Sequence, residues 1–282
     1  MINTTDLQTL IELAIREDIG SGDHSSLACF QDDSKGEAII YAKETGVIAG
    51  VDLAKHVFYA FDSKLEYIAI VKDGATVQPG NEIAKIIGNK QHILTAERTV
   101  LNFMQRMGGI ATKTRDYVDA IKGTGARVLD TRKTTPGFRA IEKEAVRIGG
   151  GTNHRFGLYD MIMLKDNHID FAGGIVSAIK MANDYLKVND LKIPIEIEVR
   201  NYKELEQVLK YGQVQRIMLD NFSVKDTLQA VQRVNSKFEI ESSGGITLET
   251  IRCYAETGVD FISVGALTHH IKSLDISLLV RK

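Results

Sequence analysis

The sequence predicts an α/β protein in two parts: a small mixed α+β domain, then a run of βαβ units around a parallel sheet. Three observations predict it. From Arg127 onward, short β-rich runs ending in polar or glycine residues alternate with helix-like stretches. From Ile195 these runs recur about every 22 residues. Before Gly108, strand-like and helix-like stretches follow no regular order. Alternation at such spacing means right-handed crossovers between parallel strands. Continuously apolar strands mean a sheet covered on both faces or closed on itself.

The elements follow in order. Leu7–Arg16 carries the spacing of an amphipathic helix, and Gly36–Lys43 (GEAIIYAK) and Lys64–Val71 (KLEYIAIV) read as strands. Lys72–Ile87 (KDGATVQPGNEIAKII) is similar to the hairpins of lipoyl and biotinyl carrier domains but lacks their displayed lysine turn. It is therefore expected to be a structural β-hairpin turning at Pro79-Gly80. Ile93–Arg106 is a longer helical stretch, which Gly108-Gly109 is expected to interrupt before a second helix, Ala111–Lys122. The later strands are expected at Arg127–Asp130, Met161–Leu164, Ile195–Val199, Arg216–Leu219, Phe238–Glu241 and Phe261–Val264. Helices are expected at Tyr202–Tyr211, Val224–Val234 and Leu248–Thr257. The expected division is residues 1–108, residues 109–268, and a terminal segment 269–282 packing back on the first domain.

Composition excludes several classes. The 282 residues carry a formal charge of −2, so neither a basic nucleic-acid coat nor an acidic tail is present. Apolar residues at 44% and charged residues at 26% are those of an ordinary globular chain. The two cysteines, Cys29 and Cys253, form no C-x-x-C pair, so they read as reduced thiols. The N-terminus reads as an amphipathic helix rather than a signal peptide, and no apolar run approaches the about 20 residues of a membrane span. The expectation is a soluble cytoplasmic protein with neither nucleic acid nor membrane as partner.

In a parallel barrel the loops after the strands converge on one mouth. The residues there are Asp130-Thr131-Arg132-Lys133, Lys165-Asp166-Asn167-His168, Glu198, Asp220-Asn221, Ser242-Ser243-Gly244-Gly245 and Gly265-Ala266. Arg132, Lys133, Arg139, Lys143, Arg147, Arg155 and Lys165 form a cationic region, with His154 among them. Lys143 and Arg147 read equally well as a solvated helix face. Arg132, Lys133 and Lys165 follow strands directly, and cations at a barrel mouth imply an anionic ligand. Glycine-bearing loops after the last two strands suit a phosphate, because backbone N–H groups can approach it closely. Glu198 and Asp220 end neighbouring strands, as paired acid and base or as ligands for Mg²⁺ or ribose hydroxyls. His154, His168, His269 and His270 lack zinc-site spacing.

Thr131–Lys165 (TRKTTPGFRAIEKEAVRIGGGTNHRFGLYDMIMLK), continuing DNH, resembles the signature of the quinolinate phosphoribosyltransferases. Leu94–Thr112 (LTAERTVLNFMQRMGGIAT), EIEV at Glu196–Val199, LDN at Leu219–Asn221, ESSGGI at Glu241–Ile246 and VGALTH at Val264–His269 extend the resemblance along the whole chain. It implies an N-terminal α/β sandwich beside an incomplete parallel (β/α) barrel of about seven strands. It implies transfer of phosphoribosyl from phosphoribosyl pyrophosphate to quinolinate, with loss of CO₂, in de novo NAD synthesis. Quinolinate would be held by Thr131, Arg132, Lys133, His154, Arg155 and Lys165, and by Arg98 of a neighbouring subunit in a homodimer or assembly of dimers. Phosphoribosyl pyrophosphate would be held by Glu198, Asp220, Ser243, Gly244, Gly245, Val264, Gly265, Ala266 and His269. Mg²⁺ is the implied cofactor, at Glu198 and Asp220. Lys133 and Lys165 are the candidates for any proton transfer.

Overall fold

A computed structural model describes residues 4–30 and 34–281. In chain order the elements begin with α1 (Thr4–Ile19), α2 (His24–Cys29), β1 (Lys35–Ala42), β2 (Gly46–Val47), α3 (Val51–Phe61), β3 (Glu66–Ala69), β4 (Thr76–Val77), β5 (Glu82–Asn89) and α4 (Lys90–Ala120). They continue with β6 (Arg127–Leu129), α5 (Arg139–Gly149), β7 (Ile162–Leu164), α6 (Asp166–Phe171), α7 (Ile175–Val188), β8 (Ile195–Val199), α8 (Tyr202–Tyr211), β9 (Arg216–Asp220) and α9 (Val224–Val234). The last are β10 (Glu239–Ser243), α10 (Ile251–Ala255), β11 (Phe261–Ser263), α11 (Ala266–His269) and β12 (Ile276–Val280).

Two compact units result. The first comprises Met1–Arg115, Thr134–Gly150 and Leu267–Lys282; the second comprises Asp116–Lys133 and Gly151–Ala266. In the first, an antiparallel sheet runs β12-β1-β5-β3. Its core includes the fully buried Ile39, Ile40, Phe58, Ile83, Ile86, Leu101 and Met104. Pro79 and Gly80 form the expected turn. Asn81 N–H donates to Gln78 O at 3.0 Å, and Gly80 has φ +88, which glycine adopts without strain. The strand before that turn, β4, pairs with β2, while β5 after it pairs with β1 and β3, so the segment is not a simple hairpin.

Helix α4 corrects an expectation. It runs unbroken from Lys90 to Ala120, through Gly108 and Gly109. These glycines admit a neighbouring chain rather than ending the helix. A Cβ on Gly109 would stand 2.2 Å from the Lys272 carbonyl oxygen, and one on Gly108 would stand 2.9 Å from the Leu274 side chain. Close approach outweighs a helix-propensity loss of about 1 kcal/mol per glycine.

The second unit holds a six-stranded parallel sheet, β6-β11-β10-β9-β8-β7. A single parallel bridge, Leu129 to Thr152, adds a seventh position beside β6. The barrel is therefore incomplete, and its seventh strand is reduced to one bridge. Helices α8 and α9 begin and end at the expected residues because their caps are local. Asn201 accepts the Glu204 N–H, and Ser223 accepts that of Asp226. Helix α10 is shorter than the expected Leu248–Thr257. Thr247 and Thr250 bond to one another instead, forming a turn that delays the helix start.

Strand alternation sorts the barrel residues by face. Ile197, Ile217, Leu219, Ile240 and Ile262 occupy one face and are buried. The other face carries the polar residues, Glu196 and Glu198 on β8, Arg216 and Asp220 on β9, Glu239, Glu241 and Ser243 on β10, interleaved with Met163, Met218 and Phe261. The strands are thus not apolar throughout, as read from sequence.

Candidate active site

The bridge at Thr152 positions one side of the site. Thr152 N–H donates to Val128 O at 2.8 Å, and Asp130 N–H donates to Thr152 O at 3.2 Å. The fully buried Asp130 carboxylate then accepts the His154 N–H at 2.8 Å. The segment from Thr152 to Arg155 is thereby held beside the end of β6, next to Thr131, Arg132 and Lys133. Thr131 Oγ1 accepts the Lys133 N–H at 3.0 Å, which shapes this loop.

Arg132 and Arg155 form a cationic pair. Burial and then the Arg132 guanidinium hold the Arg155 pKa below its ordinary value. Arg132 Nε is buried with no hydrogen-bond partner among the described residues, while Arg155 Nη1 donates to Met161 O at 3.1 Å. Two half-buried guanidiniums that repel one another favour an anion between them, and their planar forks suit carboxylates.

Lys165 lies exposed between β7 and α6, its N–H donating to His168 Nδ1 at 3.0 Å. Its charge reaches Glu198 at the end of β8. Burial and then the Asp220 carboxylate raise the Glu198 pKa, and Lys165 lowers it. Glu198 and Asp220 are therefore near enough to repel, at the ends of adjacent strands. Asp220 stands in register with Ser243 at the end of β10. The following glycines adopt left-handed backbone, φ +102 at Gly244 and +60 at Gly245. On the next strand, Val264 N–H donates to Leu129 O at 2.9 Å, leading into Gly265 and Ala266.

Beneath this mouth lies a layer that the sequence reading missed. His154, only 8% exposed, places Nε2 at 3.0 Å from Glu196 and 3.4 Å from Glu241. Arg216 lies 3.4 Å from Glu241 and 4.0 Å from Glu196, and its guanidinium stacks on Phe261 at 3.9 Å. Burial and then Glu241 push the Glu196 pKa up to about 7. Burial also works to raise Glu241, but His154, then Ser263 and Arg216, outweigh it and hold its pKa below the usual value. Burial works to depress His154, and the two carboxylates overcome it, pushing its pKa up to about 9. The Arg155 N–H donates to Nδ1 at 2.7 Å, a contact that works against the doubly protonated ring the carboxylates favour and directs the first proton to Nε2. Both ring nitrogens of His154 thus face protein groups. Its visible role is to position the Arg155 backbone. The signal for this layer was the period-two acid pattern I-E-I-E-V at 195–199 and E-I-E at 239–241.

Among the described residues, His154, Glu196 and Glu241 are the one group of three potential ligands converging within 4.8 Å, and Arg216 already supplies countercharge there. Glu198 and Asp220 offer a different setting: a repelling, half-buried pair of hard oxygen ligands at the mouth. That donor set fits Mg²⁺, which takes one or two carboxylates and completes its shell with substrate oxygens and water.

The cations read as one region divide between the units. Arg132, Lys133, Arg155 and Lys165 belong to the barrel; Arg139, Lys143 and Arg147 belong to the first unit. Lys143 is 2% exposed, so the solvated-face reading fails for it, whereas Arg147 pairs with Glu144 at the surface. Fully buried Glu142 accepts from Arg106 Nε at 2.8 Å and from the Thr135 N–H at 3.2 Å, which draws this face of α5 inward. Arg98, exposed on α4, and His269, exposed on α11, also belong to the first unit.

A parallel barrel with a guanidinium pair, a carboxylate pair and a glycine loop at its strand ends defines an enzyme of small anionic, phosphate-bearing molecules. Comparison with known proteins narrows the class. Residues 23–108 and 110–279 match the family models of the quinolinate phosphoribosyl transferase N-terminal and C-terminal domains. The chain therefore belongs to the quinolinate phosphoribosyltransferase family. It is 46% identical over 292 residues to the chloroplastic nicotinate-nucleotide pyrophosphorylase [carboxylating] of Arabidopsis thaliana, covering 98% of this chain and 83% of that one. It is 42% identical to a probable nicotinate-nucleotide pyrophosphorylase [carboxylating] of Bacillus subtilis, covering 98% and 94%. The crystal structure of NadC from Streptococcus pyogenes superposes with a TM-score of 0.94 at 39% identity, covering 100% of this chain and 99% of that one.

Proposed function

We propose that this chain transfers the phosphoribosyl group of phosphoribosyl pyrophosphate to quinolinate, releasing pyrophosphate and CO₂ and forming nicotinate mononucleotide for NAD synthesis. The single observation that carries the reading is the repelling Arg132–Arg155 pair, with its buried Arg132 Nε. A dicarboxylate satisfies both guanidiniums at once. The relatives' names support the same reaction.

Arg132, Arg155, Lys133 and Lys165 hold and orient quinolinate, with Thr131 shaping the loop and His154 setting Arg155. Glu198 and Asp220 take the ribose hydroxyls, and the loops Ser243–Gly245 and Val264–Ala266, with His269, take the 5′-phosphate. As the C1–O bond to pyrophosphate breaks, C1 becomes oxocarbenium-like and the pyridine nitrogen attacks it. The C2–carboxylate bond then breaks, and its electron pair remains at C2 beside the quaternised nitrogen. A proton from Lys133, Lys165 or solvent completes the product. The protein's contribution is to orient two anions and stabilise charge. Mg²⁺ at Glu198 and Asp220, when bound, supplies positive charge for the ribose hydroxyls and departing pyrophosphate. The test is quinolinate-dependent pyrophosphate release with Mg²⁺. Release with nicotinate but not quinolinate would overturn the reading.

The active assembly in this proposal is a homodimer, or an assembly of dimers, in which Arg98 completes the neighbouring site. Its exposure on α4 is consistent with that role. Arg98→Ala and Lys133→Ala homodimers are each expected to be nearly inactive. Random reassociation makes about half the dimers hybrids with one intact site, so about a quarter of wild-type activity should return. Subunit exchange without recovery would refute the shared site. A cytoplasmic setting is part of the same proposal. Among the described residues no helix is long and apolar enough to cross a membrane.

A further inference from the structure

Several contacts converge on Asn221, the residue that follows β9. Its backbone is left-handed, with φ +55, a conformation that asparagine tolerates better than most side chains. Its N–H donates to Ser243 O at 2.9 Å. Its Nδ2 donates to Asp220 Oδ2 at 2.8 Å. Its Oδ1 and Cγ stand 2.2 Å and 2.6 Å from where a Cβ on Gly244 would be. One side chain thus touches the carboxylate end of β9 and the glycine loop of β10.

The chemistry is specific to an amide. The donor occupies one lone pair of Asp220 and orients its carboxylate. A carboxylate at the same place would instead add a third negative charge beside Asp220 and Glu198, a pair that already repels. The glycine at 244 is required twice, by its φ of +102 and by the Asn221 amide packed against it.

We propose that Asn221 is a positioning residue for phosphoribosyl pyrophosphate: it locks the Asp220 carboxylate and the Ser243–Gly245 loop in one arrangement, so that ribose hydroxyls and 5′-phosphate bind together. This rests on the function proposed above. Asn221→Gly keeps the left-handed backbone free of strain and deletes both side-chain contacts. It should raise the KM for phosphoribosyl pyrophosphate ten-fold or more while leaving the KM for quinolinate within two-fold. Asn221→Asp keeps the side-chain volume and removes the donor, and it should raise the same KM at least as far. It carries the same readout should the glycine variant fail to fold. A residue that merely supports the fold would move both KM values together, and that result overturns the inference. So does an unchanged KM for phosphoribosyl pyrophosphate in an active variant. A wild-type chain without quinolinate-dependent pyrophosphate release overturns the functional reading itself, and the inference with it.

Discussion

Arg216→Met tests the ionic layer beneath the mouth. Arg216 faces two fully buried carboxylates, Glu241 at 3.4 Å and Glu196 at 4.0 Å, and also reaches Glu239 at 3.0 Å. Methionine keeps apolar contact with Phe261 but removes the guanidinium, leaving His154 Nε2 as the side-chain partner shared by both acids. Breaking a buried pair by removing one partner costs about 3–5 kcal/mol, a large part of the about 5–15 kcal/mol that holds a domain folded. The loss should depend on pH. Glu196 has its folded pKa raised to about 7. Its neutral form is therefore the favoured one in the fold, and the stability it contributes falls as pH rises through that value. Arg216 lowers the Glu196 pKa, so in the variant it should rise further. The penalty should thus be fullest at pH 8 and clearly smaller at pH 5.5, where Glu196 carries its proton. The assay is urea unfolding at both pH values, followed by circular dichroism because the chain has no tryptophan. A loss below about 1 kcal/mol at pH 8 would show that stacking on Phe261 and not charge makes Arg216 matter; an equal loss at both pH values would show that Glu241, charged at both, and not Glu196 carries the penalty.

Three further outcomes are expected. Lys165→Ala should lower kcat/KM ten-fold or more, about 1.4 kcal/mol of transition-state stabilisation; an unchanged value for quinolinate would remove Lys165 from the site. Gly244→Val, in steady-state kinetics, should chiefly raise the KM for phosphoribosyl pyrophosphate, and a folded variant with that KM unchanged would refute the loop assignment. Gly109→Ala places a Cβ 2.2 Å from the Lys272 carbonyl oxygen; overpacking of about 1–3 kcal/mol should exceed the propensity gain and lower Tm, and a higher Tm would refute the close-packing account.

Much of the barrel was legible from the sequence because its signals are local. Helices α8 and α9 were placed residue for residue, since their caps, Asn201 and Ser223, lie within three positions of the amides they bond. The strand-end residues Arg132, Glu198, Asp220 and Ser243 could be picked out because a parallel barrel sends every strand's carboxyl end to the same mouth. The unbroken helix through Gly108-Gly109 was not legible. Nothing near those glycines announces that Lys272 and Leu274 will pack against them. Lys143 could not be decided for a related reason: a cation on an amphipathic helix signals water unless the fold covers it, and here the fold does.

Alone, the sequence determined the order of the six barrel strands, helices α8 and α9 and the chemical character of the strand ends, because periodicity, capping and turn residues act over a few positions. Only the tertiary structure decided which charges meet. Glu196, Arg216 and Glu241 come from three strands, and His154 from a segment that a single bridge holds beside β6. Asn221 reaches Gly244 across two strand ends. Such contacts are set by sheet register and strand order, which bring residues tens of positions apart to within hydrogen-bond distance, and at that range burial and Coulomb energy override what each residue prefers by itself.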